Sequence, residues 1–75
     1  MNKQRRKWIE EIRGKLGELK DELSSALDEE QEYFDSMPEG FQSGRRGDAA
    51  QMAISSMDNA VSQMEEAIDS LGEID

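Results

Sequence analysis

The sequence contains no cysteine and no histidine, and only 5% of its residues are aromatic. Without cysteine there are no disulfide bridges or thiolate metal ligands, and without histidine there is no imidazole ligand and no Ser-His-Asp triad. A chain of 75 residues is one small unit that cannot enclose a large core alone. We therefore expect a protein that is not an enzyme, uses no cofactor or metal, and gains stability from a partner.

Basic residues are scarce and unevenly placed. The chain has 9 Lys and Arg against 18 Asp and Glu, a formal net charge of −9. Such a charge opposes direct binding to nucleic acid or to anionic membranes. Residues 1–20 carry seven bases and three acids, a net of +4, whereas residues 21–75 carry two bases and fifteen acids, a net of −13. This asymmetry predicts two segments that lie side by side.

Long apolar runs are missing as well. No stretch approaches the roughly 20 apolar residues that a membrane-spanning helix needs. The basic start at residues 3–7 is not followed by the apolar stretch of a signal peptide. We expect a cytoplasmic protein with no membrane partner.

The first half of the chain predicts one amphipathic helix over residues of about 4–34. Its apolar residues recur at steps of three and four and keep to one heptad frame, with Glu30 as the exception. Leu27 and Phe34, in the adjacent heptad position, continue the stripe past Glu30. The residues of the main stripe are Ile9, Ile12, Leu16, Leu19, Leu23, Ala26 and Tyr33.

A second helix is predicted over residues of about 48–72, where a heptad repeat runs from Ala53 to Leu71. Three of its seven positions are apolar, a wider face than a two-helix seam requires, which indicates contact with more than one neighbouring helix. Asp48 and Gln51 match the capping-box pattern and place the helix start near Ala49.

One loop is predicted between the helices, over residues 35–47, because Pro38 and three glycines interrupt helical periodicity there. The predicted fold is all-α: a single unit over residues 1–75, an antiparallel two-helix hairpin that assembles into a four-helix bundle or a higher homo-oligomer. The residues predicted at the oligomer interface are Leu23, Leu27, Ile54, Met57, Val61, Met64 and Ile68.

The stretch Glu29-Glu-Gln-Glu-Tyr-Phe-Asp-Ser-Met-Pro-Glu-Gly-Phe-Gln-Ser-Gly-Arg-Arg-Gly-Asp48, followed by heptads ending in Ala67-Ile-Asp-Ser-Leu71, resembles small acidic α-helical proteins of bacteriophages and prophages. That family has no established biochemical role. The resemblance implies a helical hairpin and an infected or lysogenic bacterial host, and it transfers no active site. Family members commonly have an acidic residue where Arg45 stands.

The loop carries the candidate ligand-binding residues, Tyr33, Phe34, Phe41, Arg45 and Arg46. Two guanidinium groups before a helix N-terminus favour an anion, and nearby aromatic rings can stack on a nucleobase. The alternative is structural: the arginines pair with acids near the end of helix one, and the aromatic rings plug the end of the hairpin. The Gly-Arg-Arg-Gly run lacks the features of a P-loop, so nucleotide hydrolysis is not supported.

Two functions and a structural alternative follow. The first is a phage accessory protein that binds a small phosphate-bearing ligand, for example a nucleotide signal of host defence, at the inter-helix loop. The second is an acidic inhibitor that mimics nucleic acid and occupies a basic host protein. The third is a structural or regulatory helical oligomer whose partner is itself.

Overall fold

The computed structural model describes residues 1–74, and these residues contain helices and turns but no strand. Helix α1 spans Lys3–Asp35, the short helix α2 spans Glu39–Gln42, and helix α3 spans Arg45–Gly72. The all-helical class and the pair of long helices predicted from the sequence are confirmed. Helices α1 and α3 pack along each other in opposite directions and form a hairpin with extents of 58 × 14 × 12 Å.

Local chemistry explains where α1 begins. The side chain of Asn2 caps its first turn, because the Asn2 Oδ1 atom accepts a hydrogen bond of 2.8 Å from the backbone N–H of Arg5. Far along the pair, the Arg13 Nε atom donates a hydrogen bond of 2.9 Å to the carbonyl oxygen of Ile68. This bond joins the start of α1 to the end of α3 and fixes the register of the two helices.

The predicted loop of residues 35–47 is too long, and the predicted start of the second helix near Ala49 is wrong. Helix α2 occupies four of the loop residues, and α3 begins at Arg45 after the extended residue Gly44. Asp48 is not a cap: it lies in the first turn of α3, where its N–H donates to the Gly44 carbonyl at 2.9 Å. This is the first i→i−4 bond of α3, and no side chain caps the helix at Gly44.

Gly47 is inside α3, so its predicted place in the loop is wrong. It is buried, and a Cβ atom at this position would overlap the backbone of Gln42. The end of α2 can approach the first turn of α3 only because the side chain is missing there. The glycine is needed for close packing and not for a helix break.

The seam between α1 and α3 is thin. Ala50 is the only buried hydrophobic residue among those described, and none of the larger side chains is fully buried. The other seam residues are half-buried, among them Ile9, Leu16, Leu23, Leu27 and Phe34 of α1 and Ile54, Met57, Val61, Met64, Ile68 and Leu71 of α3. All seven residues predicted at an oligomer interface are in this half-buried set.

The predicted stripe of α1 divides into two lines. Ile9, Leu16 and Leu23 are half-buried at the seam. Ile12, Leu19, Ala26 and Tyr33, three or four residues further along, are exposed instead, with 38% of Ile12, 53% of Leu19 and 52% of Tyr33 accessible. One neighbouring helix is therefore too little to cover the apolar surface of α1.

Candidate functional site

The turn between α1 and α3 is an ordered structure. The carbonyl of Pro38 accepts hydrogen bonds from the N–H groups of Phe41 at 2.9 Å and Gln42 at 3.1 Å, which closes α2. The Gln42 side chain then ties this turn to α1, because its Nε2 atom donates to the Phe34 carbonyl at 3.0 Å. These bonds hold the ring of Phe41 on a fixed piece of backbone beside the end of α1.

A small cleft of about 310 Å³ opens on one side of this turn. Its apolar lining comes from two half-exposed aromatic side chains, Tyr33 and Phe41, and from Met37 and Pro38. Its polar lining comes from Ser36 and Arg46. We call this site the turn cleft. Flat rings and a guanidinium group around one opening can stack on a planar group and bind an oxyanion together.

Three of the five predicted ligand-binding residues, Tyr33, Phe41 and Arg46, line the turn cleft. Phe34 is half-buried and lines a shallower groove with Glu39, Gln42 and Gln51. Arg45 is exposed at the first position of α3 and lines neither opening.

Sequence reasoning missed Ser36, Met37 and Pro38 as lining residues. A hydroxyl group, a thioether and a proline in a predicted loop carry no sign of a binding site by themselves. They reach the cleft because Asp35 ends α1 and the chain turns at once.

The two arginines at the turn have no ion-pair partner among residues 1–74. Arg45 and Arg46 are the only bases after residue 20, and both occupy the first turn of α3, where the helix dipole disfavours a positive charge. Their expected ion pairs with Glu29, Glu30, Glu32 or Asp35 are not formed. Within residues 1–74 the structure shows one ion pair, between Lys20 Nζ and Asp21 Oδ1 at 3.8 Å. The structural alternative, in which these arginines pair with acids near the end of helix one, is supported by no ion pair within residues 1–74.

A second candidate surface is the flank of the hairpin that we call the apolar face. On α1 it consists of Trp8, Ile12, Leu19, Ala26 and Tyr33, which lie about 40–100° to one side of the seam at ~100° per residue. On α3 the alanines at 49, 53, 60 and 67 are displaced from the seam in the same rotational sense. Because α3 runs opposite to α1, this places both lines on the same side of the hairpin. Trp8 is 63% exposed there.

The other flank is what we call the acidic face. Asp21, Asp28 and Asp35 recur every seventh residue along α1, and Asp58 and Glu65 do the same along α3. All five are exposed. The hairpin thus has an apolar side and an acidic side, separated by its seam.

Other kinds of site were sought over the same residues. No described helix is both long and apolar enough to cross a membrane. No group of three or more Asp and Glu residues in the described range is arranged to hold a metal ion.

Comparison with known proteins assigns no family to the chain. No family model, no curated protein and no solved structure matches the chain.

Proposed function

We propose that this protein acts by binding and not by catalysis, and that the turn cleft takes a small, flat, phosphate-bearing molecule of the nucleotide type. The observation that carries the proposal is the presence of Tyr33, Phe41 and Arg46 around one cleft of about 310 Å³. Aromatic rings stack on nucleobases, and a guanidinium group binds phosphate through two parallel hydrogen bonds.

The position of Arg46 supports the same proposal. Its charge opposes the dipole of α3, and it has no ion-pair partner among residues 1–74. A charge that does not stabilise the fold is free to neutralise a ligand.

The biological setting of the proposal comes from the resemblance to phage and prophage proteins. In that setting, sequestration of a nucleotide signal in the cytoplasm of an infected or lysogenic host would counter a defence pathway. Sequestration requires tight binding without turnover, which suits a site without a catalytic pair. Self-association into a four-helix bundle or a higher homo-oligomer belongs to the same proposal, because one hairpin buries too little apolar surface.

Calorimetry and thermal shift with inorganic pyrophosphate and with mono-, di- and cyclic nucleotides test the ligand class. We expect at least one nucleotide to bind and to raise the melting temperature. Arg46→Ala should weaken that binding by roughly tenfold or more, because a charge-assisted hydrogen bond to phosphate is lost. Arg45→Ala is the matched control, since Arg45 is an adjacent identical residue outside the cleft, and it should retain most of the affinity. Equal losses in both variants, or no binding by any compound, would count against the turn cleft.

The acidic face supports a second candidate, an inhibitor of a basic host protein. Five exposed carboxylates stand in rows at seven-residue spacing, about 10 Å apart along each helix. Such rows can occupy a groove that normally binds nucleic acid. Affinity capture from host lysate separates this candidate from the first. Capture of a nucleic-acid-binding protein that is lost in Asp28→Lys and kept in Arg46→Ala would favour the inhibitor.

A further inference from the structure

We infer that the apolar face is covered by a second copy of this chain lying antiparallel to the first, α1 against α1, so that Trp8 of each copy closes the turn cleft of the other. The inference deepens the proposed function and rests on it for the ligand class only. The arrangement of the two copies follows from surface area, symmetry and charge, none of which depends on a ligand.

Surface area shows that a partner is needed. The hairpin exposes 5885 Å². A compact monomer of 8.5 kDa exposes about 4,700 Å². The excess of about 1,200 Å² is larger than the ~800 Å² that each partner buries in a standard interface. Four large apolar side chains of the apolar face, Trp8, Ile12, Leu19 and Tyr33, are between 38% and 63% exposed.

Symmetry shows how a second copy fits. The line of α1 is symmetric about a point between residues 22 and 23, so an antiparallel copy brings Ile12 opposite the partner's Tyr33 and Leu19 opposite the partner's Ala26. A large side chain then meets a small one at the centre of the contact. The same patch serves both copies, as a two-fold interface requires.

Charge selects the antiparallel orientation. Residues 3–20 of α1 carry a net of +4, and residues 21–35 carry no base and, apart from the aspartates of the acidic face, four glutamates at 22, 29, 30 and 32. Antiparallel copies place the basic half of each α1 beside the acidic half of the other, whereas parallel copies place like charges together. The unpaired state of nearly all these charges in one hairpin leaves them free for this contact.

The turn cleft is completed by the same arrangement. The same register brings Trp8 to the end of the partner's α1, close to the partner's Met37, which follows that helix and lines the cleft with Tyr33 and Phe41. Within one chain, Trp8 and the turn lie at opposite ends of a molecule 58 Å long. A third aromatic ring and the basic residues around it therefore reach the cleft only from a second copy. A stacked, positively charged enclosure is what a nucleotide-type anion requires.

Disulfide trapping tests the arrangement without any ligand, because the chain has no cysteine of its own. Single variants Leu19→Cys and Ala26→Cys should cross-link when mixed under oxidising conditions, and so should Trp8→Cys with Met37→Cys. Leu19→Cys alone should link far less, because its two copies stand about 10 Å apart at ~1.5 Å per residue and a disulfide needs Cα atoms within roughly 7 Å. Leu19→Cys mixed with Ala60→Cys is the control for packing of α1 on α3. The inference would be overturned by any of three results. These are cross-linking in that control, efficient cross-linking of Leu19→Cys with itself, or sedimentation of the protein as a monomer.

Complementation tests the shared cleft with adenosine 5′-monophosphate as the probe. Trp8→Ala should weaken binding about five- to 150-fold, the range for loss of one stacked ring, and the single tryptophan of the intact chain should change its fluorescence on binding. Mixing Trp8→Ala with Arg46→Ala should restore about a quarter of the wild-type binding capacity, since each mixed pair has one complete cleft. Binding that needs Arg46 but ignores Trp8 would refute the shared cleft and leave the proposed function standing. Failure of the wild type to bind would count against the proposed function, and the cross-links would still decide the arrangement.

Discussion

The two faces of the hairpin are built on the same two helices and differ in what they leave unsatisfied. The apolar face leaves large side chains in water, which is costly at roughly 25 cal/mol per Å². The acidic face leaves carboxylates in water, where they are already well solvated. Among the described residues, the seam between them buries a single hydrophobic side chain, that of Ala50. The comparison teaches that the seam sets the shape of the molecule, whereas the apolar face is where its uncovered apolar surface remains.

A charge placed in the seam should have the largest effect. Met57 and Met64 are half-buried between the helices, and Met57→Lys or Met64→Lys would put an ammonium group into the thin core. We expect a loss of about 2–4 kcal/mol, enough to unfold or dissociate the protein. Circular dichroism melts together with sedimentation measure both effects. Unchanged mass and melting temperature in both variants would show that neither the hairpin nor the assembly depends on this stripe.

Gly47 gives a second large effect with a matched control. Gly47→Ala forces a Cβ atom against the Gln42 backbone and should cost about 1–3 kcal/mol despite the better helix propensity of alanine. Gly14→Ala makes the same chemical change in the middle of α1, where nothing lies within 4 Å, and should gain up to ~1 kcal/mol. Opposite signs in thermal or urea unfolding check the prediction. A gain in both variants would mean that α2 is not packed on α3 as described.

Gly47 also shows where sequence reasoning stops. Apolar periodicity was enough to predict the helical class and two long helices, because burial of one stripe is a local property of the sequence. Gly44 and Gly47 are the same residue type, and the sequence predicts both in the loop. One of them starts a helix and the other sits within it, since the distinction depends on how closely Gln42 approaches. Such a close approach depends on tertiary packing, which a short stretch of sequence does not reveal.

The candidate site divides in the same manner. Residue chemistry near the turn was sufficient to predict an aromatic and basic cluster, and Tyr33, Phe41 and Arg46 do come together in the structure. It was not sufficient to predict that Arg46 lines the cleft and that Arg45 does not. Adjacent residues of a helix point about 100° apart, but the sequence does not indicate that the helix begins at Arg45. A start of the second helix near Ala49 puts both arginines in the loop, where nothing in the sequence distinguishes them.

A charge on the apolar face should have an intermediate effect that separates association from folding. Leu19 is 53% exposed in the hairpin, so Leu19→Glu should leave helicity largely intact while it weakens self-association by at least tenfold. Asp28→Lys is the control on the acidic face and should keep the wild-type mass. Analytical ultracentrifugation over a concentration series checks both variants. Loss of helicity in Leu19→Glu at every concentration would mean that folding and association cannot be separated.

Charge reversal at the basic start should have a smaller effect that salt can identify. Arg5, Arg6 and Lys7 are exposed, and none forms an ion pair within the described hairpin. Reversal of all three to Glu should lower stability by about 1 kcal/mol at low salt, and 0.5 M salt should remove most of that loss through screening. Melting at several protein and salt concentrations measures it. Salt-sensitive binding of the intact protein to DNA or RNA would instead assign these residues to nucleic acid.

Neutralising the acidic face should have the smallest effect on the fold. Asp28→Asn and Asp58→Asn remove exposed carboxylates from the two helices without changing their size, and each should alter the free energy of unfolding by no more than about 0.5 kcal/mol. A small gain is the expected sign, because the change relieves repulsion in a chain of net charge −9. Urea denaturation of the double variant measures the fold, and nucleotide binding measured in parallel should stay unchanged, since neither residue lines the turn cleft. If the double variant folds and binds nucleotide normally but no longer captures a basic host protein, the function belongs to the acidic face and not to the turn cleft.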